Sequence, residues 1–438
     1  MSVLPKEINY KSAMSLPEGT QSNSIVSSPI NGQTFGPSQI AQFDMVQRGY
    51  LVPESVYIRY KLTTTLPATA GANNAVKGTP VYSPISRLET IVGSQVVESI
   101  QNYNQLCNML VNCKMNYAQK VGLANSFGYS SSATATSYAF DFSTNCPNGL
   151  AFTTSTAANA IGANVFLAAP LGCILSNADH LVPLKFMPSC RIQLSLDTLA
   201  NAYRLDGTNP VTNFSLSNVE LCYDIIEFSP MVDQAISSMG AGSITIRSQS
   251  YLSSGVTIAQ NSTGSLEFLF NQRLASIKSL FCHLSGTEAT KVNGFFDSVD
   301  ITTNNGDYQW FVSGLPYPPR PISTVLNKAA ISMELSAAFG PAHDLLTSNF
   351  AINPTEFNYT IASTTTVQQM GKVYLGTNVE KLSTNGALLT GISSQGSPIS
   401  FRVSTGTALS QTAVIQLIAL YDALLQIDIP SRTLIVMQ

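Results

Sequence analysis

The side chains able to do chemistry are few and scattered. There are three histidines, His180, His283 and His343. None stands at metal-ligand spacing from another histidine or from a cysteine pair, so ordinary packing or surface roles are expected for them. Cys282 and His283 are adjacent, which in a strand would send their side chains to opposite faces. His343-Asp344 has the composition of half a catalytic pair, but no GxSxG nucleophile context accompanies it. Asp297 and Asp300 flank an apparent strand and would make an acid–base pair only if the fold brought them into a cleft. The seven cysteines, at 107, 113, 146, 173, 190, 222 and 282, form no CxxC pair. Their number is odd and several lie in apolar runs such as "VELCYDII" and "SLFCHL", the pattern of buried reduced thiols in a protein made inside a cell. Neither GxGxxG nor GxxxxGK[ST] occurs. The sequons at Asn213, Asn261 and Asn358 are expected to be fortuitous, and Trp310, the lone tryptophan, to be a packing aromatic. The expectation is therefore no catalytic, cofactor or metal site, and no enzyme.

Composition points elsewhere. Of 438 residues only 11% are charged, against roughly 25% in an ordinary soluble domain. The surface must then be built from Ser, Thr, Asn, Gln and Ala, which suits burial against partner subunits. A net charge of −3 without any dense Lys/Arg run gives no reason to expect nucleic-acid binding. The N-terminus "MSVLPKEINYKSAMSLPEG" carries no apolar signal region, so export is not expected. The most apolar stretch, "AVIQLIALYDALLQIDI", is interrupted by Gln416, Asp422 and Gln426 and predicts buried strand rather than a membrane span.

The elements that would position any site are mostly strands. Residues 1–36 lack hydrophobic periodicity and predict an arm, whose only basic residues are Lys6 and Lys11. "QIAQFDMV" and "SVYIRYKLTTTL" follow, the second alternating through Val56, Ile58, Tyr60 and Leu62. Gly93-Ser94 in "LETIVGSQVVESI" predicts a tight hairpin. One amphipathic helix then spans 101–122, with Tyr103, Leu106, Cys107, Leu110, Cys113, Tyr117 and Val121 at helical spacing and Gly122 as its stop.

The same order recurs later. Asn305-Gly306 in "VDITTNNGDYQWFV" predicts a second hairpin. The proline cluster of "YPPRPISTVLNKAAISMELSAAFG" is expected to release the chain from the sheet into a helix capped by Ser323 or Thr324. Its apolar stripe would be Ile322, Val325, Leu326, Ala329, Met333 and Ala337, and Gly340-Pro341 would end it. "NVELCYDIIEFSP" and "LIALYDALLQIDIP" form a third recurring pair. These repeats predict two copies of one β-rich unit, 37–235 and 236–438, each a sandwich such as a jelly roll with one short helix. A Ser/Thr/Ala/Asn-rich section, 123–172, whose only charge is Asp141, is expected to be a loop insertion in the first unit.

Three stretches carry a family resemblance. "SPINGQTFGPSQIAQFDMVQRGYLVPESVYIRYKL", "ISRLETIVGSQVVESIQNYNQL" and "LPYPPRPISTVLNKAAISMEL" resemble, in that order, sections of the major capsid proteins of polinton-like viruses and virophage-type elements. The resemblance implies a mainly all-β double jelly roll, two sandwiches in tandem with one short helix in each. It implies a homotrimer whose six sandwiches form a pseudo-hexameric capsomer tiling an icosahedral virion shell. Its implied partners are neighbouring capsomers, penton and minor capsid proteins, and an internal membrane reached by the N-terminal arm. The chain is lean for this lineage, many of whose members carry longer outward loops. Two other readings remain open here. A microbial surface protein or adhesin would call for an export signal and disulfides, and a carbohydrate-active sandwich enzyme would call for paired carboxylates in a cleft and several exposed aromatics.

Overall fold

The computed structural model describes residues 19–65, 74–128, 164–205, 209–238, 242–286, 306–324, 326–340, 352, 373–380, 389–396, 398–405, 408 and 412–438. Sixteen principal strands form the backbone of the four larger antiparallel sheets among the described residues. The first half contributes β1 (Gln21–Ser27), β2 (Ile40–Asp44), β3 (Tyr57–Thr65), β4 (Ile85–Val92), β5 (Gln95–Gln101), β6 (Asn164–Pro170), β7 (Cys190–Leu196) and β8 (Asn213–Glu227). The second contributes β9 (Ser243–Ile258), β10 (Gly264–Phe270), β11 (Ile277–Gly286), β12 (Asp307–Val312), β13 (Leu315–Ser323), β14 (Tyr374–Asn378), β15 (Ile399–Thr405) and β16 (Ala413–Asp428).

The pairing order shows the duplication directly. In the first half the sheets run β1-β8-β3-β6 and β2-β7-β4-β5; in the second, β9-β16-β11-β14 and β10-β15-β12-β13. Adding eight to every strand of one half gives the other. Such an order, with sheets facing each other, is a jelly roll, and the chain holds two. Tyr223-Asp224 and Tyr421-Asp422 occupy the equivalent strands β8 and β16, as their sequence similarity predicts. Helices also recur between the fifth and sixth strands: α1 (Tyr103–Lys114), followed by α2 (Tyr117–Gly122) and α3 (Ala124–Phe127), in the first half, and α5 (Lys328–Phe339) in the second. A further helix, α4 (Pro230–Ser238), joins the sandwiches and spans the expected boundary at 235/236.

Inner faces follow the alternation. Ile58, Tyr60 and Leu62 of β3 are buried while Tyr57 is exposed, and Tyr308, Trp310 and Val312 of β12 point into the second core. β16, the interrupted apolar stretch, is one 16-residue strand buried on both faces over most of its length. The C-terminal strand Thr433–Met437 pairs with it, so the chain end is tucked against the sandwich as expected.

Several expectations need correction. Residues 21–27 are not arm but β1, paired along β8 from Gln21↔Glu227 to Ser27↔Leu221. A strand whose partner is so distant in sequence, and whose own residues are mostly polar, leaves no local periodicity. The 123–172 section is not wholly loop: α3 lies at its start, and Asn164–Pro170 is β6 within the first sheet. The 101–122 helix breaks at Met115-Asn116, where the Asn116 and Gln119 side chains each accept the other's backbone N–H at 2.9 Å, a capping box that starts α2.

The second hairpin turns at Ser313-Gly314, both with positive φ, rather than at Asn305-Gly306. Gly306 instead precedes β12, and Asn305 lies outside the described residues. The prolines do not release the chain. Pro316, Pro318, Pro319 and Pro321 lie within β13, an edge strand that pairs only with β12 and so tolerates missing N–H groups. The helix starts later, at Lys328, with the Asn327 side chain accepting from Ala330 N at 3.1 Å. Its buried stripe is Ile331, Leu335 and Ala338, while Leu326 and Met333 are exposed.

Candidate assembly surface

The two histidines within the described residues stand in different settings. His180 is exposed beside Asp179, at 2.7 Å. Cys282 faces the second core and His283 the opposite side, as adjacency in a strand requires. Asp297, Asp300, His343, Asp344, Asn358 and Cys146 lie outside the described residues. The other six cysteines are free and buried. Burial pushes the Cys107 and Cys173 thiols up to about 12, which keeps them protonated and unreactive. Among the described residues no group of three or more His, Cys, Asp or Glu could hold a metal ion.

What the polar side chains do build is the seam between the sandwiches. Glu98 on β5 is buried and accepts from Thr90 Oγ1 at 2.8 Å, from Ile174 N at 2.9 Å and from Ser250 Oγ of the second half. Burial raises its pKa, and the three donors oppose that shift. Ser248 Oγ donates to Ile174 O at 2.5 Å, Asp179 N to Arg247 O at 2.9 Å and Asn177 Nδ2 to Gln249 O at 3.0 Å. Serines, amides and backbone carbonyls carry nearly all of this contact. Desolvating such groups costs less than desolvating charge, so the low-charge composition has a structural use.

The helices cover this side of the second sandwich. On the outward face of β11 and β14, Leu335 and Ala338 of α5 lie over Gly376, where an added Cβ would stand 2.8 Å from Leu335 Cδ1. Phe339 packs against Phe281, the rings tilted by 32° with centroids 4.8 Å apart. Alongside, α1 of the first sandwich reaches across: Asn112 Nδ2 donates to the Tyr374 hydroxyl at 3.2 Å, and Lys114 Nζ lies 5.6 Å from the Phe339 ring centroid. α5 thus covers part of its own sandwich, whereas α1 is wedged between the two.

His283 lies in this seam, with its ring 4.9 Å from that of Tyr374 and next to Gln416. Neither ring nitrogen finds a partner among the described residues. Burial lowers its pKa from 6.5 to about 4. The unfolded chain then binds the proton more readily. The stability linked to this histidine is complete above pH 6.5 and is lost as the pH falls toward 4, by about 3 kcal/mol in all. Urea midpoints measured between pH 7 and pH 4 should fall more steeply for the wild type than for His283→Leu. Parallel curves would show that the imidazole is not kept neutral by burial. Glu98, with its raised pKa, works in the opposite sense in both proteins and cancels from the comparison.

Among the described residues, the corresponding face of the first sandwich is open. Arg59 pairs with Glu220 across the outward side of β3 and β8, and Phe166 beside them is 68% exposed. With Asn125 and Ser126 of α3 they line a cleft of about 760 Å³.

No protein-family model and no curated protein matches the sequence. Solved structures do match the fold. The chain is similar to the capsid protein in the quasi-atomic structure of the PBCV-1 virus capsid, at 9% identity and a TM-score of 0.63, covering 98% of this chain and 99% of that one. It is similar to the Faustovirus major capsid protein, at 10% identity and TM-score 0.60, covering 96% and 92%. It is also similar to a chain of the Sputnik virophage, at 14% identity and TM-score 0.56, covering 100% and 92%. At such low identity the match rests on architecture, and it runs the length of both chains: the protein has the double jelly-roll fold that these capsid proteins share.

Proposed function

We propose that the chain is a major capsid protein, a structural subunit that trimerises into pseudo-hexameric capsomers and tiles an icosahedral shell. The observation that carries this reading is the repeat of one strand order in two sandwiches joined by a polar, low-charge seam. Two similar sandwiches per chain let three chains approximate six-fold symmetry. In the virion, its partners would be neighbouring capsomers together with penton and minor capsid proteins. An internal membrane is a further partner in this reading. No specific nucleic-acid contact and no catalysis are proposed.

The solution mass tests this reading. Light scattering on the purified protein should give 3 × 46.8 kDa, about 140 kDa, or larger particles built from that unit. A single-chain mass at every concentration would contradict it.

A further inference from the structure

Strand registers allow the two sandwiches to be compared residue by residue. Superposing Tyr223-Asp224 on Tyr421-Asp422 places Glu220 with Ile418 and, through the ladders, Arg59 with Phe281. One strand further on, Ala168 corresponds to Gly376 and Phe166 to Tyr374. Both strands therefore present a small residue and, two positions away, an aromatic one on the outward face. In the second sandwich these positions are covered: Gly376 by α5, and Tyr374, 1% exposed, by Asn112 of α1 from the first sandwich. In the first sandwich the aromatic, Phe166, stands 68% exposed at the cleft.

The helices show the complementary asymmetry. α1 buries nine of its twelve residues, because it is packed both on its own sandwich and on the next. α5, equally long and in the same place in its repeat, buries only Ile331, Leu335 and Ala338. Met333 on α5, Leu326 just before it and Leu315 at the start of β13 are all more than half exposed. Among the described residues, one repeat thus has a helix whose outer side is left uncovered, and the other has a sheet face left uncovered.

We infer that the outward face of β3 and β6, centred on Phe166, is the seat of the α5 side of a second copy of this chain. The contact that joins the sandwiches within one chain then recurs between chains. It is a head-to-tail contact, using different surfaces on the two partners, so it propagates around a ring instead of closing a two-fold dimer. The inference rests on the reading of the chain as a shell subunit, but it fixes a surface that this reading leaves open.

The test uses exposed positions, which need not disturb the fold. Phe166→Arg and Met333→Arg are each made in the full chain, and far-UV circular dichroism checks folding. Phe166→Ser serves as a milder variant where the arginine chain does not fold. Leu269→Arg, at an exposed apolar site on β10 in the other sheet, is the control. Each seat variant should shift the mass from three chains to one, with at least a 100-fold weaker association, and the control should keep the trimer. Mixed in equal amounts, the Phe166 and Met333 variants should form a two-chain particle, because each retains the surface that the other has lost. A wild-type trimer that Phe166→Arg leaves intact would overturn this interface and spare the capsid reading. A mixture that stays single-chain would overturn the head-to-tail pairing. A wild-type chain that never associates would remove both.

Discussion

Replacing Asp422 with alanine should cost about 3–5 kcal/mol of stability, the range for leaving buried partners of a charge uncompensated. Asp422 is wholly buried in β16. It accepts from Ser276 Oγ at 2.9 Å, from both the N–H and the hydroxyl of Thr390 at 3.1 Å, and from Arg247 Nη2 at 3.2 Å. This one carboxylate ties β9, the residue just before β11 and the segment around residue 390 to β16. Its counterpart Asp224 is only half-buried and receives Ser24 Oγ at 2.6 Å. Asp224→Ala should accordingly cost about 1 kcal/mol or less. Urea unfolding followed by circular dichroism compares the two. Equal losses would mean that the surroundings of the duplicated aspartate do not set its contribution.

Trp310→Ala should be comparably severe, about 3–5 kcal/mol, through the cavity it opens. The indole is fully buried in the second core, with its ring centroid 4.6 Å from that of Phe401. Its Nε1–H has no partner among the described residues, so no hydrogen bond to them is lost with it. Trp310→Phe should therefore cost roughly half as much, in proportion to lost volume alone. Guanidinium unfolding read by circular dichroism is the appropriate measurement, since both variants lack the lone tryptophan. A phenylalanine variant as unstable as the alanine one would point to a polar role for the indole that the packing does not contain.

Much of the fold can be traced to residues that speak locally. Alternation through Val56, Ile58, Tyr60 and Leu62 marked β3, Gly93-Ser94 marked the first hairpin, and the paired Tyr-Asp strands marked the duplication. The failures also have local causes. Prolines 316–321 look like a break, yet an edge strand needs N–H groups on one side only. Ser323 does accept from Leu326 N at 3.1 Å, so it caps a turn, and Asn327 caps the helix itself. The break after Met115 was legible in the Asn116-x-x-Gln119 spacing.

The seam was less accessible. Low charge implied partner-facing surface, but Glu98 sits in "VVESI" without any mark that distinguishes it from a solvated strand residue. Its partners Ser250 and Ile174 are brought to it only by the tertiary fold. Asp422 carried a clearer signal: a lone carboxylate in the middle of an apolar run must find donors inside the protein. Phe166 became informative only once the registers placed it opposite Tyr374 in the other repeat, a relation that no window of sequence contains.

Electron microscopy of the purified, associated protein tests the central claim most directly. Averaged end-on views should show a closed ring of six lobes, two sandwiches from each of three chains, with α5 of one chain against the Phe166 face of the next. Isolated two-lobed particles, or pairs related by a two-fold axis that buries the same face from both copies, would contradict it.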